Sequence, residues 1–259
     1  MDQDNDFFLT LPSNSSVAAY PHNTISDFRT HITPDLRLEG EWEAGLCEIS
    51  YPRTFHTIQD EDTKIFYEEL ESYLWLESHR RSTQIRAGYY DDIPHLLQEL
   101  NAVMTPVLTF NYDRIQNKVY IAGVGKRLML TLTRGLARVL GMGRDVEVIV
   151  DPQDPDDKHY LQYPADINGG FYHLYVYCDI IRHQPVGDYC VPLLRIIDIS
   201  GGNTGFVTHR YDRPHYVPVT KSHITDIHIE IKSDQNICVP FKHGKSILKL
   251  HFRKIRERL

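Results

Sequence analysis

Fourteen histidines and four cysteines are the first places to look for chemistry in this chain of 259 residues. A metal-dependent sandwich enzyme brings two histidines one residue apart, a third histidine and a carboxylate. No His-x-His occurs, and His209, His215, His223 and His228 crowd together without a ligand spacing. They read as surface or partner-contact histidines. His228-Ile-Glu230 has the His-x-Glu of a zinc deaminase but lacks the Pro-Cys-x-x-Cys that supplies the remaining ligands. Cys47, Cys178, Cys190 and Cys238 contain no CxxC pair. They read as buried, reduced thiols acting as small hydrophobes, which suits a reducing compartment. Gly123-Val-Gly-Lys126 has the end of a phosphate loop, but Tyr120 stands in place of its first glycine and Arg127 in place of its hydroxyl. Gly141-Met-Gly143 is followed by Val146 where a dinucleotide fingerprint has its third glycine, so Gly141 reads as a helix stop. There is no Gly-x-Ser-x-Gly elbow, and residues 151–157 lack the glycine and terminal glutamate of a calcium loop. No catalytic, metal or cofactor-binding residue is assigned, and the expectation is a protein that is not an enzyme.

Two features point to contact rather than catalysis. The run from Lys245 to Arg258 carries Lys249, Arg253, Lys254, Arg256 and Arg258 against a single acid, Glu257. It reads either as a charge-guarded strand or as an electrostatic contact with nucleic acid or an acidic partner. The candidates for that contact are Arg253, Lys254, Arg256 and Arg258. Tyrosine is abundant, with 16 copies, and suits half-wet interfaces because one end of the side chain is apolar and the other polar. Tyr160, Tyr163, Tyr211 and Tyr216 fall in or beside predicted loops. With Arg210 and Arg213 they are the candidate inter-subunit contacts.

These residues must be carried by a scaffold whose two ends read alike. Phe7 to Leu11, Ile25 to Ile32, Trp42 to Tyr51 and Lys64 to Glu77 read as strands, with Thr33-Pro34 ending the second. The third has apolar residues on both parities, as a strand covered on both faces would. Phe171 to Ile181, Val191 to Ile199, Ile227 to Ile231 and Leu248 to Phe252 complete the set, and residues 200–220 read as a long loop. The last two strands alternate strictly, the pattern of half-buried antiparallel strands. The middle differs. Leu96, Leu97, Leu100 and Val103 recur at helical spacing behind Asp91 and Asp92, and Thr133 to Leu140 makes a second helix. Strands at 107–112 and 118–124 form a hairpin, with further strands at 127–132 and 146–150.

The predicted fold is therefore an all-β core, a single jelly-roll sandwich of eight strands, interrupted by an α+β subdomain. The expected boundaries are 6–78 and 168–254 for the discontinuous roll, 84–150 for the insertion, and 255–259 for a basic tail end.

Composition narrows the function. Lys plus Arg is 28 and Asp plus Glu is 35, a net charge of −7, unlike a protein whose main task is to coat nucleic acid. No apolar run approaches the roughly 20 residues needed to span a bilayer. The acidic start, Met1-Asp-Gln-Asp-Asn-Asp6, is not a secretory signal. From the residues alone the reading stops at a binding or assembly module. A carbohydrate-binding jelly roll and, behind it, a metal-dependent jelly-roll enzyme stand as alternatives.

Phe8-Leu-Thr-Leu-Pro-Ser-Asn-Ser-Ser16, Tyr20-Pro-His-Asn-Thr24 and Gly40-Glu-Trp-Glu-Ala-Gly-Leu-Cys-Glu-Ile-Ser-Tyr-Pro52 resemble the minor capsid protein of Polinton (Maverick) elements and adintovirus-like viruses. The resemblance continues at Gly88-Tyr-Tyr-Asp-Asp-Ile93, Val139-Leu-Gly141, Val217 to Ile231, Val239-Pro-Phe241 and Leu248 to Arg253. It does not extend over residues 183–215. It implies a single jelly roll that forms the homopentameric penton capsomer at icosahedral five-fold vertices. Its implied partners are itself and a separate double jelly-roll major capsid protein; packaged DNA is then the simplest acidic partner for the basic run. The implied location is the virion, assembled inside the host cell. The resemblance implies no catalytic residue.

Overall fold

The computed structural model describes residues 6–70, 80–105, 107–123, 125–143, 146–151, 158–199 and 205–255. The chain divides into two compact units, Met1–Phe55 with Phe171–Leu259, and His56–Gly170. In chain order the first unit opens with β1 (Asp6–Pro12), β2 (Asp27–Arg37) and β3 (Trp42–Pro52). The second unit holds β4 (Lys64–Glu69), β5 (Arg81–Gln84), α1 (Ile93–Met104), β6 (Thr109–Asp113), β7 (Lys118–Ala122), β8 (Leu128–Leu132), α2 (Arg134–Leu140), β9 (Glu147–Val150) and β10 (His159–Tyr160). The first unit resumes with β11 (His173–Cys178), β12 (Gln184–Val186), β13 (Tyr189–Val191), β14 (Leu193–Asp198), β15 (Phe206–Arg210), β16 (Val217–Pro218), β17 (His223–Lys232) and β18 (Ile247–Lys254).

Two antiparallel sheets make the first unit, in the orders β1-β18-β3-β15, with β16 also on β3, and β14-β11-β17-β2. Successive strands change sheet at every step except β11 to β14, with β12 and β13 forming a separate hairpin between them, and β15 to β16, which both pair with β3. That is the path of a jelly roll. The inner faces meet in one core. Leu11, Ala44, Leu46, Ile49, Leu248, Leu250 and Phe252 come from one sheet; Phe28, Leu174, Val176, Ile227, Ile229 and Ile231 come from the other. Each fully buried Leu, Ile, Val or Phe side chain among them contributes about 1.5–3 kcal/mol.

The fold differs from the sequence reading in four places. First, the mixed parity of β3 does not mean an apolar covering on both faces. Lys249 pairs with Glu48 and Leu250 with Leu46, so Cys47 is the extra residue of a β-bulge. The bulge shifts the core-facing set from Ala44 and Leu46 to Ile49 and Tyr51. Second, Thr33-Pro34 does not end β2. That strand is the edge of its sheet, where proline is tolerated, and a register irregularity opposite Ile224 to Asp226 absorbs it. Third, Lys64–Glu69 lies outside the sandwich and pairs with β5 and β8. Its place among the eight roll strands is taken by Phe206–Arg210, expected as loop, which forms the edge beside β3. Residues 71–79, expected to continue the strand from Lys64, lie outside the described residues. Fourth, the unit boundaries fall at 55/56 and 170/171 rather than near 78–84 and 150–168.

The second unit has its own core under two sheets, β10-β7-β6 and β5-β4-β8-β9. Helix α1 starts where Asp92 accepts the His95 N–H at 2.8 Å. It buries Leu96, Leu97 and Leu100, and Asn101 bonds the backbone of Phe110 through both amide atoms. Helix α2 begins against Asp62, whose carboxylate accepts the Gly135 N–H at 2.9 Å, and ends at Gly141 with φ +92°. A side chain at Gly141 would also meet the carbonyl of Tyr163. That close approach explains the glycine without any dinucleotide.

Candidate assembly surface

The outer face of the β1-β18-β3-β15 sheet gathers several of the contact residues. Leu248, Leu250 and Phe252 turn inward, so Lys249, His251 and Arg253 turn outward. On β1 the same alternation puts Asp6, Phe8 and Thr10 outside. Register places Phe8 opposite His251 and Asp6 opposite Arg253. The Phe8 ring, 58% exposed, stacks on the His251 imidazole at 4.5 Å, and the Lys249 ammonium lies 4.7 Å from the same ring. This is an exposed aromatic held between a stacked imidazole and an ammonium group.

The segment after β15 folds back over this face at Gly45. A Cβ there would sit 2.8 Å from the His215 carbonyl oxygen and 2.9 Å from the Pro214 ring. Glycine at this point lets the segment lie close enough for the Tyr216 hydroxyl to reach Nδ1 of His251 at 2.7 Å. The Arg253 guanidinium stacks 3.5 Å from the Tyr216 ring and donates from Nε to Glu43 Oε1 at 2.5 Å. Arg210 donates from Nε to Glu48 Oε2 at 3.1 Å on the same face. Tyr211 has the opposite parity. Arg195, on β14 of the other sheet, stacks on its ring at 3.5 Å. Burial pushes the Tyr211 phenol up, and Arg195 opposes that shift. Arg213 is exposed and has no ion-pair partner among the described residues.

The other candidates lie elsewhere. Tyr160 and Tyr163 belong to the second unit, so they do not share the roll with the 211–216 segment. Tyr160 sits in β10, not in a loop, and its hydroxyl donates to Asp113 Oδ2 at 3.0 Å. Tyr163 lays its ring on Gly143, with half of the residue exposed. Of the basic run, Arg253 is engaged by Glu43 and Tyr216. Lys254 runs its stem over Gly40 and has no carboxylate partner among the described residues. Arg256 and Arg258 lie outside the described residues. Sequence reasoning missed Phe8 and Glu43 as parts of this face, whereas the alternation of the last strand already turns Lys249 and His251 outward. The signal was there: in Phe7-Phe8 one of two adjacent rings must point away from the core.

Chemistry beyond contact is sparse. Among the described residues, Asp27, Glu230 and Cys238 form the one group of three potential metal ligands within 4.8 Å of one another. Two of its members already have partners: the Lys232 ammonium lies 2.9 Å from Glu230, and the His228 imidazole Nε2 lies 2.7 Å from Asp27. The four thiols are unpaired. Burial pushes Cys178 up to about 12. Cys190, expected to be buried, is exposed because it sits on the β12–β13 hairpin.

No family model matches the sequence, and no curated protein matches it. Solved structures do. The crystal structure of the mavirus penton protein superposes with a TM-score of 0.51 at 10% identity, over 96% of this chain and 100% of that one. A chain of the Sputnik virophage structure superposes with a TM-score of 0.47 at 11% identity, over 97% of this chain and 98% of that one. The likeness to the mavirus protein is one of fold.

Proposed function

We propose that this chain is a structural capsid protein, the minor capsid subunit that forms the penton at icosahedral five-fold vertices. The observation that carries the reading is the fold shared with the mavirus penton protein over nearly the whole chain. The outer sheet face adds chemical support. Phe, Tyr and Arg side chains surrounded by polar groups are the composition of contact hot spots. On this reading the protein is a building block of the virion rather than an enzyme, made inside the host cell. It contacts further copies of itself and a double jelly-roll major capsid protein. The contacts around the roll include Arg210, Tyr211, Arg213 and Tyr216.

A five-membered ring uses one heterologous interface repeated by a rotation that closes, burying about 1,200–2,000 Å² per contact. Chemical cross-linking of capsid particles is expected to give a ladder of this chain that stops at five. A ladder that stops at two or three would contradict the reading.

Packaged DNA is the further partner, met by Lys254 with Arg253, Arg256 and Arg258. Each phosphate contact steepens the salt dependence of duplex binding by roughly 0.9 log units per log unit of salt. Replacing the four by alanine is expected to flatten that slope; an unchanged slope removes DNA from the list of partners.

A further inference from the structure

We infer that the β12–β13 hairpin of one copy seats its tip, Gly187-Asp188-Tyr189, in an open pocket on the roll of a second copy. The inference rests on the capsomer reading and supplies it with a pair of matching surfaces. The pocket, of about 320 Å³, lies at the end of the sandwich where β2 turns into β3 and β16 leads to β17. Leu38, Trp42 and Val219 give it apolar walls; the indole N–H of Trp42 is already donated to the Glu39 carbonyl at 3.1 Å. Arg182 and Lys221 line it against one acid, Glu41, so the lining carries net positive charge. Asp179 holds Lys221 at 2.8 Å, whereas Arg182 has no carboxylate partner among the described residues.

The hairpin has complementary properties. Its two three-residue strands pair only with each other, and an isolated two-stranded hairpin is marginal in water without something to pack on. Tyr189, at 76% exposure, is the most exposed aromatic side chain among the described residues of the roll. Asp188, beside it, has no ion-pair partner among those residues. A tyrosine entering an apolar pocket, with a carboxylate beside it meeting an unpaired guanidinium, joins a buried aromatic to a charge pair in one contact. Knob and hole are different surfaces, so the contact is heterologous, the kind a closed ring repeats.

Charge reversal tests this in the full chain, assembled into particles and alone at high concentration. Arg182→Glu and Asp188→Arg are each expected to weaken association of copies about tenfold or more, and the two together to restore it. In parallel, Tyr189→benzoylphenylalanine is irradiated in mixtures of isotopically heavy and light copies. Cross-links from position 189 to residues 38–42 or 218–222 of the other copy are expected. Rings that form normally with either single reversal, or cross-links confined to one copy, overturn the inference while leaving the capsomer reading standing. Particles whose vertices hold a different protein overturn that reading itself.

Discussion

Gly45 shows how one residue governs the candidate surface. It lies inside a strand, where glycine ordinarily weakens packing, and its use here is the close approach of the Pro214-His215 backbone. That approach positions Tyr216 on His251 and under Arg253. Gly45→Ala is expected to destabilise the roll by about 1–3 kcal/mol through overpacking, measured by denaturant unfolding. It is also expected to weaken ring formation more than Tyr216→Phe, which removes only the hydroxyl. An alanine variant with wild-type stability and assembly would show that the segment does not depend on this contact. The ion pairs on the same face, Arg253–Glu43 and Arg210–Glu48, have solvent-exposed arginines and add little to stability. What they contribute is the orientation of side chains available to a neighbour.

The elements whose signals are local were the legible ones. The Leu96, Leu97 and Leu100 spacing behind Asp92 gives α1, Thr133 to Gly141 gives α2, and the alternation in Ile227 to Ile231 gives the centre of β17. Sheet membership was less legible because it is decided by partners distant in sequence. Lys64–Glu69 has an aromatic, β-branched composition that would suit either unit, and only its ladder with β8 places it. Phe206–Arg210 is an exposed edge strand with little apolar alternation, so its sequence resembles loop. Most of the contact candidates shared this difficulty. Residue type and position single out Tyr216 and Arg253, but their stacking depends on a bend of the chain over Gly45 that no periodicity announces.

The ends of the roll meet where the second unit is inserted: the Phe55 and Phe171 rings are 5.0 Å apart. Joining residues 55 and 171 by a short linker is therefore expected to give a sandwich that still unfolds cooperatively, because its core residues all remain. Loss of the cooperative transition by calorimetry would show that the roll needs the insertion to fold.

At the scale of the whole molecule, the proposed assembly role draws on two features. The fold is shared with the mavirus penton protein from end to end. The roll also carries exposed aromatic and arginine side chains held in fixed geometry by their neighbours. A capsid subunit needs a stiff frame that presents such groups to identical copies, and a two-sheet sandwich with one continuous core is such a frame. The most direct measurement is the position of this chain in assembled particles, determined by cryo-electron microscopy. The account expects five copies around every five-fold vertex, in contact through their jelly rolls. Occupancy of two-fold or three-fold positions, with the vertex filled by another protein, would contradict it.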